Sequence, residues 1–355
     1  MRGDGWEQGP ELTVDEALRR LAGQSDLLVL QNGATGLTTM SWGVTPRPLR
    51  CLADLPLPTA GRAEDDDPGG WPVVDGGLIV QLDYEFPVGV WDGRQPDGTE
   101  RGRCWSLAGL VQWRAGRCRL RGDAATRQRL RQDLAAPARQ PQAMLAGPLQ
   151  AAWDRAGHCQ RVERIRRAIA AGELYQANLT LPWTGRWAPG TVAPDVAVFQ
   201  SLQAAAPGGY AALLRHAGRT VISHSPECFL AWQNGRIRSE PIKGTRRRQP
   251  GAETATRAEL CQAAKDNAEL AMITDLVRND LGRIARPGTV RVAQAAAVMD
   301  LPYVHHLYAR IEAELAAGVD ARAIFAAAFP PGSITGAPKI RAMQLLRQLE
   351  QGERG

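Results

Sequence analysis

The sequence lacks the features of membrane and secreted proteins. No stretch of its 355 residues approaches the roughly 18 consecutive apolar residues that span a bilayer. The N-terminal segment MRGDGWEQGPELTVDEALRR contains no apolar core of a signal peptide. The composition is ordinary for a soluble globular protein, with 44% hydrophobic and 23% charged residues. We therefore predict a cytoplasmic protein.

Cysteine pairs at redox or metal-ligand spacing are also missing. The six cysteines, at positions 51, 104, 118, 159, 228 and 261, form no CxxC pair and have no nearby histidine at ligand spacing. This usage is typical of free thiols in a reducing compartment. A structural zinc site is therefore not expected.

Lysine is scarce: it occurs only at positions 243, 265 and 339, and arginine supplies the rest of the positive charge. Lys243 lies in the run PIKGTRRR. A guanidinium cannot be deprotonated in a protein, whereas a lysine amine that is desolvated or crowded by cations can lose its proton and act as a nucleophile. The arginines at 246–248 are expected to supply such crowding. Two interpretations stay open from this run alone, a nucleophilic lysine or a solvated turn in a basic loop.

Positive charge is in excess but is not concentrated in one block. The formal net charge is +6, and the arginines are scattered over predicted helices and loops. This distribution favours a solvated surface, or one that attracts an anionic small molecule, over a nucleic-acid patch. The acidic run EDDDPGG at 64–70 has neither helical nor hairpin spacing, so a solvated loop is favoured there over a cation site.

Periodicity and turn residues divide the chain into two parts, residues 1–150 and residues 151–355. The first part is predicted to be β-rich with helices, and the second combines helices and strands. The length corresponds to about two domains or one large two-layered domain. The main predicted elements are helices at 12–22, 194–205 and 255–284, strands at 26–31 and 76–86, a hairpin at 104–122 that turns at Ala115-Gly116, and three strand candidates within 208–245.

Polar side chains near predicted element ends are candidate site residues, and each has an ordinary structural alternative. Tyr175, Gln176 and Asn178 stand at the mouth of a predicted strand, where they line a cleft or satisfy a turn. Glu269 lies beside the apolar stripe of the helix at 255–284. It is a surface carboxylate or a magnesium ligand, because Mg²⁺ sites need only one or two protein carboxylates with substrate oxygens and waters.

Two further features concern the C-terminal third. His305 and His306 are adjacent in an extended segment and point to different sides, so both cannot face one site. The loop with Gly332, Thr335 and Gly336 precedes a helix that begins at Pro338. Such a loop directs backbone N–H groups and the positive end of the helix dipole at one point, which suits a carboxylate. A well-capped helix start is the alternative.

Six of these segments occur in the order and spacing of the chorismate-utilising enzymes: IAAGELYQANLT, SPECFL, EPIKGTRRR, KDNAELAMITDLVRNDLGRI, VHHL and FPPGSITGAPKIRAMQLLRQLE. The chain from about residue 158 to its end resembles this family, most closely the aminodeoxychorismate synthase component I branch of para-aminobenzoate and folate synthesis. The resemblance implies an α+β fold of two layered, mostly antiparallel sheets with flanking helices, like that of anthranilate synthase component I.

The resemblance also implies roles for individual residues. Lys243, where the sibling anthranilate and isochorismate synthases place Ala, is expected to attack C2 of chorismate, with Gly244 and Thr245 beside it at the substrate. Glu227 matches the general acid for the departing C4 hydroxyl, and Glu269 matches a Mg²⁺ ligand. The remaining matches, to substrate-binding residues, are His306, Thr335 and Gly336. Ammonia is expected from a partner glutaminase subunit, and the amino group is transferred to chorismate.

The family pattern continues beyond the end of this sequence, so the chain is expected to be C-terminally truncated relative to it. The resemblance implies that the further segment carries an arginine for a substrate carboxylate, a second magnesium carboxylate and sheet strands. Two alternative functions stay open: anthranilate synthase component I, which Lys243 disfavours, and a non-catalytic partner of the glutaminase.

Overall fold

The computed structural model describes residues 6–33, 35–56, 77–86, 98–107 and 109–355. The acidic run at 64–70 lies outside these residues. The strands are β1 (Trp6–Gln8), β2 (Leu27–Asn32), β3 (Leu37–Trp42), β4 (Arg47–Leu49), β5 (Gly77–Leu82), β6 (Gly102–Leu107), β7 (Leu110–Arg114), β8 (Arg117–Arg121), β9 (Gln150–Ala151), β10 (Gln176–Ala177), β11 (Trp183–Thr184), β12 (Tyr210–His216), β13 (Arg219–Ser225), β14 (Cys228–Gln233), β15 (Arg236–Glu240), β16 (Ile242–Arg247), β17 (Arg291–Asp300), β18 (Val304–Glu314) and β19 (Gly336–Ala337). The helices are α1 (Val14–Leu21), α2 (Ala124–Ala135), α3 (Arg155–Ala170), α4 (Pro194–Ala205), α5 (Glu253–Gln262), α6 (Ala264–Gly282), α7 (Ala321–Ala328) and α8 (Lys339–Glu350).

A seven-stranded antiparallel sheet has the order β1-β8-β7-β3-β2-β12-β13. Helices α1, α2 and α4 pack over it, and Leu18, Trp42 and Phe199 lie in the core beneath them. The helix predicted at 12–22 and the strand predicted at 26–31 are confirmed. The turn at Ala115-Gly116 is confirmed as well, and both residues have the positive φ of a two-residue hairpin turn.

Strands from both parts of the chain build this sheet, because β12 pairs with β2 along six residues. The division at residue 150 stays a prediction. Smaller units complete the β structure: a three-stranded sheet in the order β4-β6-β5 and the two-stranded pairs β9–β11 and β10–β19. The α+β architecture of antiparallel sheets with flanking helices is confirmed.

The second large sheet has five strands arranged about β18. Strands β15 and β16 pair with β18, β14 pairs with β15, and β17 pairs with the other edge of β18. Helix α6 covers this sheet through Leu270, Ile273, Val277 and Leu281, all of which are buried. This is the apolar stripe predicted for the helix at 255–284.

That predicted helix is interrupted, so the prediction of one long helix was wrong. Ala263 has an extended backbone and ends α5 while it precedes α6. The break frees carbonyl groups of the last turn of α5. The Asn267 side chain donates to one of them, the Cys261 carbonyl, at 2.9 Å, and also to the Ala263 carbonyl at 3.0 Å.

Residues 208–245 form five strands where three candidates were predicted. The extra breaks fall at Pro226, between β13 and β14, and at Pro241, between β15 and β16. Proline has no backbone N–H and so cannot donate to a strand ladder, which accounts for both positions.

The last residues contact the N-terminal part of the chain. The Arg354 guanidinium stacks over the Tyr84 ring at 4.3 Å, and its backbone N–H donates to Glu85 at 2.9 Å. Its side chain also bonds Glu350 at 2.7 Å, with 10% and 7% of the two side chains exposed. Among the described helices, none combines the length and hydropathy needed to cross a membrane.

Candidate active site

Lys243 lies on β16 where the strand carries a bulge between Lys243 and Thr245. Gly244 occupies the bulge at φ +77°, and a Cβ there would lie 2.9 Å from the Cβ of Asp266. Glycine is therefore required by both the backbone conformation and the contact with α6. The Lys243 Nζ atom donates to the carbonyl oxygen of Ser333 at 3.2 Å.

Glu227 lies between β13 and β14 and shares its neighbourhood with Lys243. Its carboxyl lines the same small cavity as Ser333. Burial raises the pKa of this carboxyl above its ordinary value of 4.5, against the opposing effects of the Ser333 side chain, the Ile242 backbone N–H and the Lys243 charge. The raised pKa favours the protonated form that a general acid requires.

The two adjacent histidines face different partners, as predicted from their alternation. His306 pairs with the Thr245 side chain, with 2.8 Å between Nδ1 and Oγ1. Burial lowers the pKa of His306, so the neutral imidazole is favoured. His305 bonds Asp300 at 2.6 Å, away from Thr245. The structure thus places Thr245 and His306 together next to Lys243, and it separates His305 from them.

The loop at 331–338 supplies Thr335 and Gly336, which were expected to meet a substrate carboxylate. The Thr335 hydroxyl donates within the loop, to the carbonyls of Pro331 at 3.1 Å and Gly332 at 3.2 Å, and the residue is fully buried. Gly336 pairs with Ala177, and a Cβ on it would lie 2.2 Å from the Gln176 carbonyl oxygen. Both residues shape the loop, and their contact with substrate stays a prediction.

A buried ion pair fastens the same loop to α6. Lys339 donates to Asp280 at 2.7 Å and to the Ala328 carbonyl at 2.9 Å. A cavity of about 10 Å³, the space of roughly one water molecule, is lined by Glu227, Asp280 and Ser333. A larger groove of about 1020 Å³ lies over β14, β15 and the ends of β17 and β18, away from these residues.

Glu269 lies on α6 and pairs with Lys265 one turn earlier, at 3.3 Å. A third of its side chain is exposed, so the carboxylate is open to exchange partners. Within the described part of the chain, no cluster of three or more His, Cys, Asp or Glu side chains has the arrangement of a metal site. The expected role of Glu269 as a magnesium ligand stays a prediction, because a single protein carboxylate needs substrate oxygens and waters beside it to hold the ion.

The surroundings of Arg246 and Arg248 differ from the expected crowding of Lys243 by positive charge. Arg246 is paired with Glu259 at 2.8 Å and Asp266 at 3.1 Å, so two carboxylates offset its charge. Arg248 donates to the Leu301 carbonyl. The alternation of side chains along β16 and the carboxylates of α5 and α6 explain this difference, since neither is visible in the run of arginines itself.

Sequence reasoning missed Ser333, Asp280 and Lys339. Asn178, for which a cleft and a turn were the two predicted surroundings, donates from its side chain to the Ser333 carbonyl at 3.1 Å. One signal was available for Lys339, since it is one of only three lysines in an arginine-rich chain. Ser333 carried no such signal, because serine in a Gly-rich loop is common.

The chain is similar to several known proteins. The family described as chorismate binding enzyme matches residues 108–355. Aminodeoxychorismate synthase component 1 of Salmonella typhimurium is 37% identical over 234 residues, which cover 65% of this chain and 50% of that protein. Aminodeoxychorismate synthase of Streptomyces pristinaespiralis is 44% identical over 197 residues, covering 55% and 27%. Anthranilate synthase component 1 3 of Haloarcula marismortui is 36% identical over 218 residues, covering 61% and 42%.

The chain spans half or less of the length of these relatives. Two solved structures share its fold. The menaquinone-specific isochorismate synthase from Escherichia coli superposes with a TM-score of 0.76 at 18% identity, over 98% of this chain and 79% of that one. Anthranilate synthase component I from Streptococcus pneumoniae gives 0.69 at 22% identity, over 93% and 76%. Together with the motifs, the family match over residues 108–355 establishes that the chain belongs to the chorismate binding enzymes.

Proposed function

We propose that this chain is the chorismate-aminating component of an aminodeoxychorismate synthase, which acts in para-aminobenzoate and folate biosynthesis. The observation that carries the proposal is the meeting of Lys243 and Glu227 at Ser333. The Lys243 amine bonds Ser333, and the Glu227 carboxyl, whose pKa burial raises, lines the same small cavity as Ser333. A nucleophile and a proton donor therefore lie side by side. The named relatives in Salmonella and Streptomyces support the same assignment.

In the proposed reaction the lone pair of the Lys243 amine forms a bond to C2 of chorismate. Both ring double bonds shift, the C4–O bond breaks, and Glu227 gives its proton to the departing hydroxyl, which leaves as water. Ammonia then forms a bond to C4, both double bonds shift back, and the C2–N bond to Lys243 breaks. The proton that the added nitrogen loses returns to Glu227. The products are 4-amino-4-deoxychorismate, water and the free enzyme. His306 and Thr245, with Gly244 between strand and substrate, would orient the ring, and Thr335 and Gly336 would meet a carboxylate.

Magnesium and a partner complete the proposal. Glu269 would hold the ion, which supplies positive charge against the ring carboxylate of the substrate. Ammonia would come from a glutamine amidotransferase subunit, in keeping with the name component 1 of the relatives.

The test is to incubate the purified chain with chorismate, Mg²⁺ and ammonium, and to identify the product by mass. Formation of 4-amino-4-deoxychorismate is expected. Glu269→Gln should raise the Mg²⁺ concentration required for half-maximal turnover, whereas Asp275→Asn, an exposed carboxylate on the same helix, should leave it unchanged. If the folded chain consumed no chorismate when ammonium was supplied, that result would contradict the proposal.

Anthranilate synthase is the second candidate, because the Haloarcula protein of that name is 36% identical to this chain. Anthranilate and pyruvate would then be the products in the same assay. A non-catalytic role as a partner of the glutaminase would instead show glutaminase binding without chorismate turnover. The mass of the product therefore separates all three functions.

A further inference from the structure

Ser333 is the residue on which the proposed acid and the proposed nucleophile both converge. Its side chain lines the same small cavity as the Glu227 carboxyl, and its carbonyl accepts from Lys243 Nζ at 3.2 Å. The same carbonyl accepts from the Asn178 side chain at 3.1 Å. Ser333 is 7% exposed, so these bonds form away from bulk water. Segments that are distant in the sequence thus meet at one buried residue.

We propose that Ser333 is a positioning residue that aims the Glu227 carboxyl and the Lys243 amine at the same substrate, through its hydroxyl and its carbonyl respectively. The inference rests on the proposed function. Neither Ser333 group reacts. The serine fixes the directions of two groups that do.

The flexibility of the two side chains explains why such a residue is needed. Lysine has a four-carbon stem with many rotamers, and an ammonium or amine is held only where an acceptor fixes it. A glutamate carboxyl also rotates freely about its terminal bond. A single residue that bonds both groups fixes their relative position, and holding reacting groups in the productive geometry is a large part of catalysis.

The loop that carries Ser333 is itself held firmly. The Thr335 hydroxyl closes the loop onto Pro331 and Gly332, and Lys339 anchors its far end to Asp280. A positioning residue must stand on a rigid support, because an error of about 1 Å in a site can cost about 100-fold in rate. These contacts provide that support on both sides of Ser333.

The charged groups around Glu227 define how its ionisation can be followed. Lys243 faces it from β16, and Asp280, paired with Lys339, lines the same small cavity from α6. A hydroxyl that donates to a carboxylate stabilises the ionised form. Removing the Ser333 hydroxyl should therefore keep Glu227 protonated to higher pH, while the loop and both ion partners stay in place.

The test uses the full chain with ¹³C-labelled lysine, which gives three side-chain signals because there are three lysines. The Lys243 signal is assigned from its absence in Lys243→Arg. The chemical shift of the Lys243 signal is then followed against pH. An inflection that is present in the wild type and absent in Glu227→Gln is assigned to the ionisation of the Glu227 carboxyl. Chorismate turnover against pH is measured on the same samples. The variants are Ser333→Ala, Ser333→Thr, and the control Ser41→Ala, which removes a buried hydroxyl bonded to the Gly109 carbonyl in the other sheet.

In Ser333→Ala we expect the Glu227 inflection and the basic limb of turnover to move up by about one pH unit. We expect kcat to fall about tenfold with KM nearly unchanged, because the Glu227 and Lys243 side chains lose their orientation while substrate binding is kept. Ser333→Thr should keep the pH inflection and kcat of the wild type, because it retains a hydroxyl. Ser41→Ala should change neither the inflection nor kcat. An inflection that stays in place in Ser333→Ala would overturn the inference. An inflection that moves in a chain that never converts chorismate would overturn the proposed function and support the bond from Ser333 to Glu227.

Discussion

Lys339 Nζ lies 2.7 Å from Asp280 Oδ2, and only 8% and 12% of the two side chains are exposed. This ion pair joins the first residue of α8 to the last turn of α6. Burial acts on both partners, since it raises the pKa of Asp280 to about 6 and lowers that of Lys339. Each charge is tolerated there because the other is present. The pair therefore decides whether the loop before α8 stays against α6.

Lys339→Met should destabilise the fold by about 3–5 kcal/mol, because it leaves the Asp280 carboxyl buried without its cation. The effect should depend on pH. A carboxyl whose folded pKa is raised contributes stability below its ordinary value of 3.8, and this is lost as pH rises through the folded value of about 6. Without the lysine the folded pKa rises further. Urea unfolding should therefore show a larger loss at pH 8 than at pH 5.

The control for this prediction is the double variant Asp280→Asn with Lys339→Met. It removes both charges and should recover much of the stability at pH 8. An equal loss by Lys339→Met at both pH values would mean that the carboxyl is not responsible.

Lys243→Ala should reduce chorismate turnover to background while the fold is kept. The structural cost is small, since Lys243 makes one hydrogen bond to Ser333, worth about 1 kcal/mol. Lys243→Arg is the matched variant, because it keeps the positive charge but has no amine that can be deprotonated. Stopped reactions analysed by intact mass should show a substrate adduct on the wild-type chain and none on either variant. Turnover that survives in Lys243→Ala would rule out the lysine as nucleophile.

Glu227→Gln should lose activity and gain stability. General acid catalysis contributes about 100-fold or more, so kcat should fall at least that far. The raised pKa of Glu227 means that its ionised form is disfavoured in the fold, and the stability it contributes is lost as pH rises from 4.5 through the raised value. Gln stays neutral at every pH. The variant should therefore melt above the wild type at pH 8, with a smaller difference at pH 5, and a difference independent of pH would contradict this.

Arg354→Ala should destabilise the chain by about 3 kcal/mol, because it breaks the buried bond to Glu350. It also removes donors to the carbonyls of Ile334 at 2.6 Å and Asn178 at 2.7 Å. Arg347→Ala, on the exposed face of the helix that carries Glu350, should change the free energy of unfolding by less than about 0.5 kcal/mol. Similar denaturant midpoints for the two variants would show that Arg354 does not hold the segment.

Much of the fold follows from local sequence patterns. The apolar stripe of α6 and the turn at Ala115-Gly116 are each encoded by residues only a few positions apart. The break at Ala263 has no such periodic signal, and the bond from the Asn267 side chain to the Cys261 carbonyl is visible only in the folded chain. Strand pairing across residue 150 is likewise a long-range choice, which no periodicity reveals.

The candidate site divides in the same way. Lys243 stands out because lysine is rare here, and the alternation of His305 and His306 separates their roles before any fold is known. Family motifs supply the match for Glu227. Ser333 is recognised only in three dimensions, because its importance lies in its bond to Lys243 and in the cavity that it shares with Glu227, and both residues are distant in the sequence. The offset of the Arg246 charge by Glu259 and Asp266 also depends on tertiary packing.

Because the three lysines differ in exposure, reagents that react with amines should modify them at different rates. The Lys265 side chain is 83% exposed, Lys339 is sealed in its ion pair, and Lys243 is half-buried. An acylating reagent should therefore modify Lys265 first, Lys243 more slowly and Lys339 only on unfolding. In a Lys265→Arg background, the amine beside Glu227 becomes the most reactive lysine of the folded protein, so a reporter group can be attached directly at the site.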